Sequence, residues 1–404
     1  MVEHRVLLLD GIDDGVGSQL RRIGFEVVYV KSMEISQLVS EIARFEMLAV
    51  RSATKVTREV LTAGKNLLLV GRAGTGMDNI DVAAANELGI LAFNTPGANA
   101  RSVAECVIGQ IISALHKISV GSIALARGEW AKDGCQGGRT LEDKTVGIVG
   151  MGYIGKWVAR LLEPFGVKVI TYEFNVSTVL PWIPLVPFDQ LVAESDVITL
   201  HVPLNDQTKL MINQEILSRV KNGAVLVNFA RGGLVDDKAV LAALQSGQLA
   251  SYVADTFNKE PLPSNHSLNN PELIAQGRLV LTPHLSVQSV EAQASVGQAL
   301  VEQTIGFFQY GQIPWGSPFP QIPFPWQEKS RLIVLHCDQP GVAASILGLV
   351  APANIARSHT DRSNRGGTAY TVVDADQKLE ADQIQQIRAL SDVLRLASWS
   401  NNHY

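Results

Sequence analysis

Three side chains of different chemistry, Arg231 in "NFARGGLVDD", Glu260 in "DTFNKEPL" and His284 in "LTPHLS", each follow a short apolar run. An imidazole titrates near neutral pH and so can take or give a proton during a reaction. A carboxylate hydrogen-bonded to it would fix the ring, and a guanidinium would grip a substrate carboxylate through two parallel contacts. Alone, each of these residues is as readily a surface side chain. Gathered at the ends of successive strands, they suit oxidation of a 2-hydroxy acid: a hydride leaves carbon 2 while His284 accepts the hydroxyl proton.

A hydride needs an acceptor, and residues 146–157, "VGIVGMGYIGKW", offer a place for one. Gly150, Gly152 and Gly155 have the spacing for a tight turn, a close approach of backbone to pyrophosphate, and close packing of helix on strand. The phosphates would lie on the amides of the helix N-terminus. Glu173 ends the next apolar run, 18 residues after Gly155. It would accept both hydroxyls of an adenosine ribose and repel a 2′-phosphate, and "EFNVST" holds no Arg or Lys to reverse that choice. NAD is therefore the expected cofactor. Asp255, at the end of its own run, is expected to accept from the nicotinamide carboxamide.

The elements that must position these groups are legible as alternating runs. "TVGIVG", "VKVITYE", "VITLHVPL", "AVLVNFA", "SYVADTF" and "LVLTPH" read as buried parallel strands carrying polar residues at their carboxyl ends. A similar alternation over residues 1–97 predicts a smaller α/β domain. "RSVAECVIGQIISALHKISVGSIALARG" is the longest helical pattern, and "VEAQASVGQALVEQTIGFFQYG" is another. If the second packs back on the first domain, a substrate domain of 1–97 and 285–310 is interrupted by a nucleotide domain of 98–284, with a hinge and a cleft between them. Residues 311–328 are proline-rich and read as a stiff linker. Residues 329–404 give a βαββαβ order and so a ferredoxin-like sheet. The expected fold class is α/β, with two doubly wound parallel sheets and this smaller third domain.

Composition narrows the partners. The 404 residues exceed what one core usually serves, and 46% are hydrophobic. A net charge of −5 without a basic run argues against nucleic acid or an anionic membrane. The amino-terminal apolar run is far shorter than a signal-peptide core or a bilayer span. Cys106, Cys135 and Cys337 are few, scattered and odd in number, which suits a reducing cytoplasm and neither a disulfide framework nor a metal site.

"GMGYIG", "NFARGGLVDDKAVLAAL", "DTFNKEPL" and "TPHLSVQSVEAQ" resemble the D-isomer-specific 2-hydroxyacid dehydrogenases, whose Arg, Glu and His fall on Arg231, Glu260 and His284. The resemblance further implies cofactor contacts at Tyr153, Ile154, Pro203, Thr208, Phe229, Ala230, Ser286 and Val287. Upstream, "VRSATKVT" and "VGRAGTGMDNIDVAAANELGI" are similar to the branch acting on D-3-phosphoglycerate. That implies a substrate phosphate at Arg51 and Arg72, and its carboxylate at the amides of Gly74, Thr75 and Gly76. Lys132, beside Trp130, matches a position that in relatives can reach a neighbouring subunit's cleft. The tail resembles an ACT regulatory domain, which implies a homo-oligomer, a tetramer as in relatives that carry such a tail, and points to L-serine as an effector at His336, Asp338 and Asn354. Asp338 stands where an amide is expected, exchanging two donors for a negative charge. Ser286 and Val287 replace small residues beside His284, with consequences for substrate range. Reduction of 2-oxoglutarate, a substrate such as glycerate or 2-hydroxyglutarate, and a non-enzymatic NADH-sensing scaffold remain open at this point.

Overall fold

The computed structural model describes residues 4–401 and divides into two compact units, Met1–Ala98 with Gln293–Tyr404, and Asn99–Ala292. The second crossing lies at Gln293, inside helix Val290–Tyr310, rather than at the expected 285. Periodicity marks a helix but carries no sign of where along it the packing partner changes.

In the first unit, β1 (Arg5–Leu8), β2 (Glu26–Tyr29), β3 (Met47–Val50), β4 (Leu69–Arg72) and β5 (Leu91–Phe93) form a parallel sheet ordered β2-β1-β3-β4-β5. Strand side chains alternate between faces. Leu7, Leu48, Val50 and Val70 enter one core, while Val6, Leu8, Met47, Ala49 and Leu69 enter the other, with Leu300 and Phe307 of helix Val290–Tyr310. Gly71 sets that approach, because a Cβ there would lie 2.8 Å from both Leu300 and Phe93.

In the second unit, β6 (Thr145–Val149), β7 (Lys168–Tyr172), β8 (Val197–Leu200), β9 (Ala224–Asn228), β10 (Leu249–Ala254) and β11 (Leu279–Leu281) run parallel in the order β11-β10-β9-β8-β6-β7. A bridge between Thr171 and Leu185 extends the sheet beyond β7. The order reverses at β6, and the glycine fingerprint follows that strand. Open α/β sheets bind ligands outside the carboxyl ends of their strands at such a reversal.

The pattern over residues 101–128 is not one helix. It breaks at Lys117, which is left-handed at φ 58°, into Ala100–His116 and Ile118–Ala126, bent by 75°. The Lys117 side chain caps the bend by donating to the Gln136 carbonyl at 2.5 Å. The longest helix among the described residues is therefore Val290–Tyr310, at 21 residues. No single helix among them is long and apolar enough to cross a membrane.

The carboxyl-terminal sheet is antiparallel, with β12 (Ser330–Cys337), β13 (Ile355–Arg362), β14 (Thr368–Ala375) and β15 (Val393–Ser400) in the order β13-β14-β12-β15. Helices Val342–Val350 and Ala381–Arg388 cover one face with Leu332, Val334 and Val373. The opposite face does not stand apart behind a linker. Ile333, Leu335, Tyr370 and Val372 share a core with Phe93, Phe307, Phe308, Ile313 and Phe319. Trp399 packs edge-on against Phe307 and donates to the Phe308 carbonyl at 2.7 Å. Residues 311–326 are accordingly packed chain rather than a spacer: their aromatic residues outweigh the extended preference of their prolines.

Candidate active site

The three glycines of the fingerprint carry different constraints. Gly150 has φ 100°, and a Cβ there would lie 2.7 Å from the His201 carbonyl oxygen. A Cβ on Gly155 would lie 2.0 Å from the Gly150 oxygen. Both are demanded by the chain itself. Around Gly152 nothing lies within 4 Å of that position, and Gly152 caps helix Tyr153–Leu162. Open space over the first amides of a helix is the form a pyrophosphate needs, so the residues present fit a dinucleotide.

Glu173 follows β7 and leans toward this loop. Its Oε2 accepts from the Met151 amide at 2.5 Å and its Oε1 from the Asn175 amide at 3.0 Å. Each oxygen keeps a further lone pair for a ribose hydroxyl. Tyr153 is exposed and Ile154 half-buried at the helix start. Other expected contacts turn out to shape the site through the backbone. The Thr208 hydroxyl is buried, donating to the Pro203 carbonyl at 2.6 Å and accepting from the Asn205 amide at 2.9 Å, which fixes the loop after β8. Phe229 and Ala230 are buried beyond β9 and point into the cores.

β9, β10 and β11 are adjacent and parallel, so the segments carrying Arg231, Glu260 and His284 leave the same edge of the sheet. The Asn228 side chain braces the first of them, donating to the Arg231 carbonyl at 2.9 Å and accepting from the Ala230 amide at 3.1 Å. Arg231 donates from Nη1 to the Ala230 carbonyl at 2.7 Å. A Cβ on Gly232 would lie 2.1 Å from the Phe257 carbonyl carbon, so glycine there lets the β9 and β10 loops touch. Glu260 Oε1 accepts from the Phe257 amide at 2.9 Å and its Oε2 meets His284 Nδ1 at 2.8 Å. With Nδ1 donating to a carboxylate, Nε2 is the ring atom left to face a substrate hydroxyl.

His284 itself is left-handed, with φ 51°. A non-glycine residue holds that conformation only where its surroundings determine it. Asp255 is the main determinant. It is 0% exposed. Its Oδ1 accepts from Thr282 Oγ1 at 2.6 Å and the Leu285 amide at 2.9 Å, and its Oδ2 from the Ser286 amide at 3.1 Å. The carboxylate expected to meet the nicotinamide amide is thus engaged in clasping the loop on both sides of His284. Ser102 Oγ adds a bond to the Ser286 carbonyl at 2.7 Å, and Val287 packs against the adjoining core rather than standing free. Sequence patterning misses Ser102 and Thr282, because a hydroxyl bonded to a distant loop leaves no periodic signal.

A second imidazole, His201, lies under the fingerprint. It bonds Thr199 Oγ1 through Nε2 at 2.9 Å, and Nδ1 is buried with no hydrogen-bond partner among the described residues. Burial lowers its pKa to about 3, so at neutral pH it is a neutral structural ring. Burial, followed by the Asp255 charge, pushes the Cys106 thiol up, away from thiolate chemistry. All three cysteines are free.

The expected anion residues lie in the first unit. Val50 pairs with Arg72 across β3 and β4, so Arg51 and the 73–76 turn leave the same sheet edge side by side. Asp10 accepts from the Arg51 amide at 2.9 Å and from Thr54 Oγ1 at 2.6 Å, holding the Arg51 loop. Gly74 has φ 143°, and a Cβ there would overlap Arg72 Nη1. The guanidinium therefore lies directly over the turn. The Gly74 amide donates to Thr95 Oγ1 at 3.0 Å, the Thr95 amide to the Gly74 carbonyl at 3.1 Å, and Asn94 Nδ2 to the Thr75 carbonyl.

Other expected residues are not brought together. Lys132 is exposed in the second unit, near Trp130, which is 82% exposed. His336 is buried, bonding the Cys337 carbonyl at 2.8 Å and Thr371 Oγ1 at 2.9 Å. Asp338 pairs with Arg362 at 2.9 Å, and Asn354 donates to Asp376 at 2.5 Å. By strand register His336 lies at the Thr368 end of β14 and Asn354 at the Ala375 end. A single copy therefore does not assemble the three.

Residues 108–286 match the family model for the D-isomer specific 2-hydroxyacid dehydrogenase, NAD binding domain. The chain is 39% identical over 304 residues to a hydroxypyruvate reductase of Thermotoga maritima, covering 75% of this chain and 98% of that protein. It is 36% identical over 304 residues to a D-3-phosphoglycerate dehydrogenase of Archaeoglobus fulgidus, covering 74% of this chain but only 56% of the longer relative. Among solved structures, NAD+-bound 3-phosphoglycerate dehydrogenase of Entamoeba histolytica superposes with a TM-score of 0.65 at 27% identity, over 78% of this chain and 98% of that one.

Proposed function

Because the chain belongs to the D-isomer specific 2-hydroxyacid dehydrogenase family and is an NAD-dependent enzyme of that kind, we propose that its substrate is D-3-phosphoglycerate, oxidised to 3-phosphohydroxypyruvate at the head of serine synthesis. One observation carries the finer reading: Arg51 and Arg72 leave neighbouring strand ends beside a glycine turn. Two guanidinium groups there suit a phosphate dianion, and the turn suits a carboxylate at the amides of Thr75 and Gly76, the expected third donor, the Gly74 amide, being taken by Thr95 Oγ1.

When bound at the Gly150–Gly155 loop and Glu173, NAD would supply the hydride acceptor. His284 Nε2 takes the substrate hydroxyl proton, and Glu260 keeps the ring oriented as it gains charge. Arg231 holds the substrate carboxylate and polarises the carbon 2 oxygen as it becomes a carbonyl. Asp255 and Ser102 keep the loop of His284 in its left-handed form.

The Thermotoga maritima relative favours a second reading, in which unphosphorylated hydroxypyruvate is the better substrate in the reductive direction. A screen of NADH oxidation over 3-phosphohydroxypyruvate, hydroxypyruvate, 2-oxoglutarate and pyruvate decides between them. Replacing Arg51 and Arg72 with Gln is expected to raise KM for 3-phosphohydroxypyruvate on the order of 100-fold and to spare hydroxypyruvate. Equal effects on both substrates would remove the phosphate assignment. Turnover of 2-oxoglutarate by the same residues belongs to this reading.

The exposed Trp130 and Lys132 support a homo-oligomer in which this segment meets a second copy, and the few free cysteines suit a reducing cytoplasm. His336 and Asp338 of one copy with Asn354 of another would then form a serine site. Adding L-serine in the steady-state assay tests it: an unchanged rate and unchanged assembly would leave the carboxyl-terminal domain without that effector.

A further inference from the structure

Gln303 is a polar residue in a place built for apolar ones. It lies on helix Val290–Tyr310, 2% exposed. A buried amide must satisfy both its ends. This one does so by spanning two other segments: Nε2 donates to the Asn94 carbonyl at 2.8 Å, and Oε1 accepts from the Gly316 amide at 2.9 Å. Gly316 also presses against Asn94, where a Cβ on it would lie 2.1 Å from the Asn94 oxygen. Asn94 in turn reaches the 73–76 turn through its side chain, donating to the Thr75 carbonyl.

The peptide plane carries this one step further. In a trans peptide the carbonyl of one residue and the N–H of the next point in opposite directions. Drawing the Thr75 carbonyl toward Asn94 therefore turns the Gly76 N–H away from it, to the side where an anion would be met. The same holds for the Gly74 carbonyl, drawn to the Thr95 amide. The orientation of the turn is set from behind by residues 94 and 95, and residue 94 is set by Gln303 and Gly316.

We infer that Gln303 is a positioning residue for the substrate carboxylate, and that the segment around Gly316 sets substrate affinity through it. The inference rests on the proposed reading of the Gly74–Gly76 turn as the carboxylate site. Gln303→Met keeps the volume and removes both bonds. Gly316→Ala pushes Asn94 from the other side without touching the helix.

The test measures kcat and KM for 3-phosphohydroxypyruvate and for hydroxypyruvate, with NADH affinity by fluorescence titration and Tm as a check on folding. Both variants are expected to raise KM on the order of tenfold for both substrates, because the carboxylate is common to them, with kcat within about twofold and NADH affinity unchanged. A merely structural role would lower Tm and leave the KM ratio at one, and that result in both variants overturns the inference. Gly74→Ala separates the two levels of the argument. If it raises KM for hydroxypyruvate, which has no phosphate for the displaced Arg72 to hold, while Gln303→Met and Gly316→Ala do not, the carboxylate site stands and the positioning role falls. If Gly74→Ala also leaves KM unchanged, the turn is not the site and both fall.

Discussion

At the residue scale, the chemistry depends on one imidazole held in an unfavourable backbone form. His284→Ala should lower kcat by on the order of 10²–10⁴-fold while leaving NADH affinity at the wild-type value, and an equal loss of cofactor binding would contradict its proton-transfer role. The neutral ring of His201 makes a separate prediction about stability. Its pKa, lowered to about 3 by burial, lies below the unfolded value near 6.5, so the unfolded chain binds the extra proton between those limits. This group's contribution is therefore complete above pH 6.5 and is lost as the pH falls, at up to about 1.4 kcal/mol per pH unit. His201→Gln should flatten the acid limb of a Tm-against-pH curve; an unchanged limb would show that the ring is hydrated. That the segments of Arg231, Glu260 and His284 leave one sheet edge was legible in the sequence, because polar residues after apolar runs are conspicuous. Asp255 was equally visible, but its use was not: three donors from residues 282–286 meet it only after folding.

Among elements, the glycine loop separates what the chain requires from what a ligand requires. Gly152→Ala should leave Tm near wild type, since its backbone is extended and its surroundings are open, yet weaken NADH binding strongly in a fluorescence titration. Gly155→Ala should lower Tm and cofactor affinity together, because its methyl group meets the Gly150 oxygen. Matching Tm losses in the two variants would undo this division of roles. The strands were readable from their apolar runs, and both parallel sheets follow. The break at Lys117 was not, since the pattern on either side of it keeps a helical period. A left-handed residue changes direction without changing hydrophobicity.

For the whole molecule, the carboxyl-terminal sheet completes the core of the first unit. Arg331 and Asp374, 1% and 0% exposed, form a two-pronged ion pair with Nε–Oδ1 at 2.6 Å and Nη2–Oδ2 at 2.7 Å, and Arg331 Nη1 donates to the Gly311 carbonyl at 3.2 Å. Breaking such a pair leaves an uncompensated buried charge. Asp374→Ala should therefore cost about 3–5 kcal/mol, measured by denaturant unfolding. Deleting residues 329–404 should leave Phe307, Phe308 and Phe319 uncovered and the chain prone to aggregate in sedimentation; a soluble, fully active truncation would refute the shared core. The βαββαβ order was legible, but its attachment was hidden by the prolines of residues 311–326. They suggest a spacer, whereas Ile313, Phe319 and Phe324 make that stretch part of the interior.

The interrupted course of the first unit has a consequence for biosynthesis. Residues 1–98 leave the ribosome early, but Leu300, Phe307 and Tyr370, which close over one face of their sheet, come after the whole of the 99–292 unit. At cellular elongation rates that is a wait on the order of tens of seconds. By its end the inserted unit has all its own strands, whereas Leu69 and Phe93 still lack the cover of Leu300 and Phe307. A nascent chain stalled just after the inserted unit has emerged from the ribosome should therefore carry a protease-resistant middle and a protease-sensitive beginning.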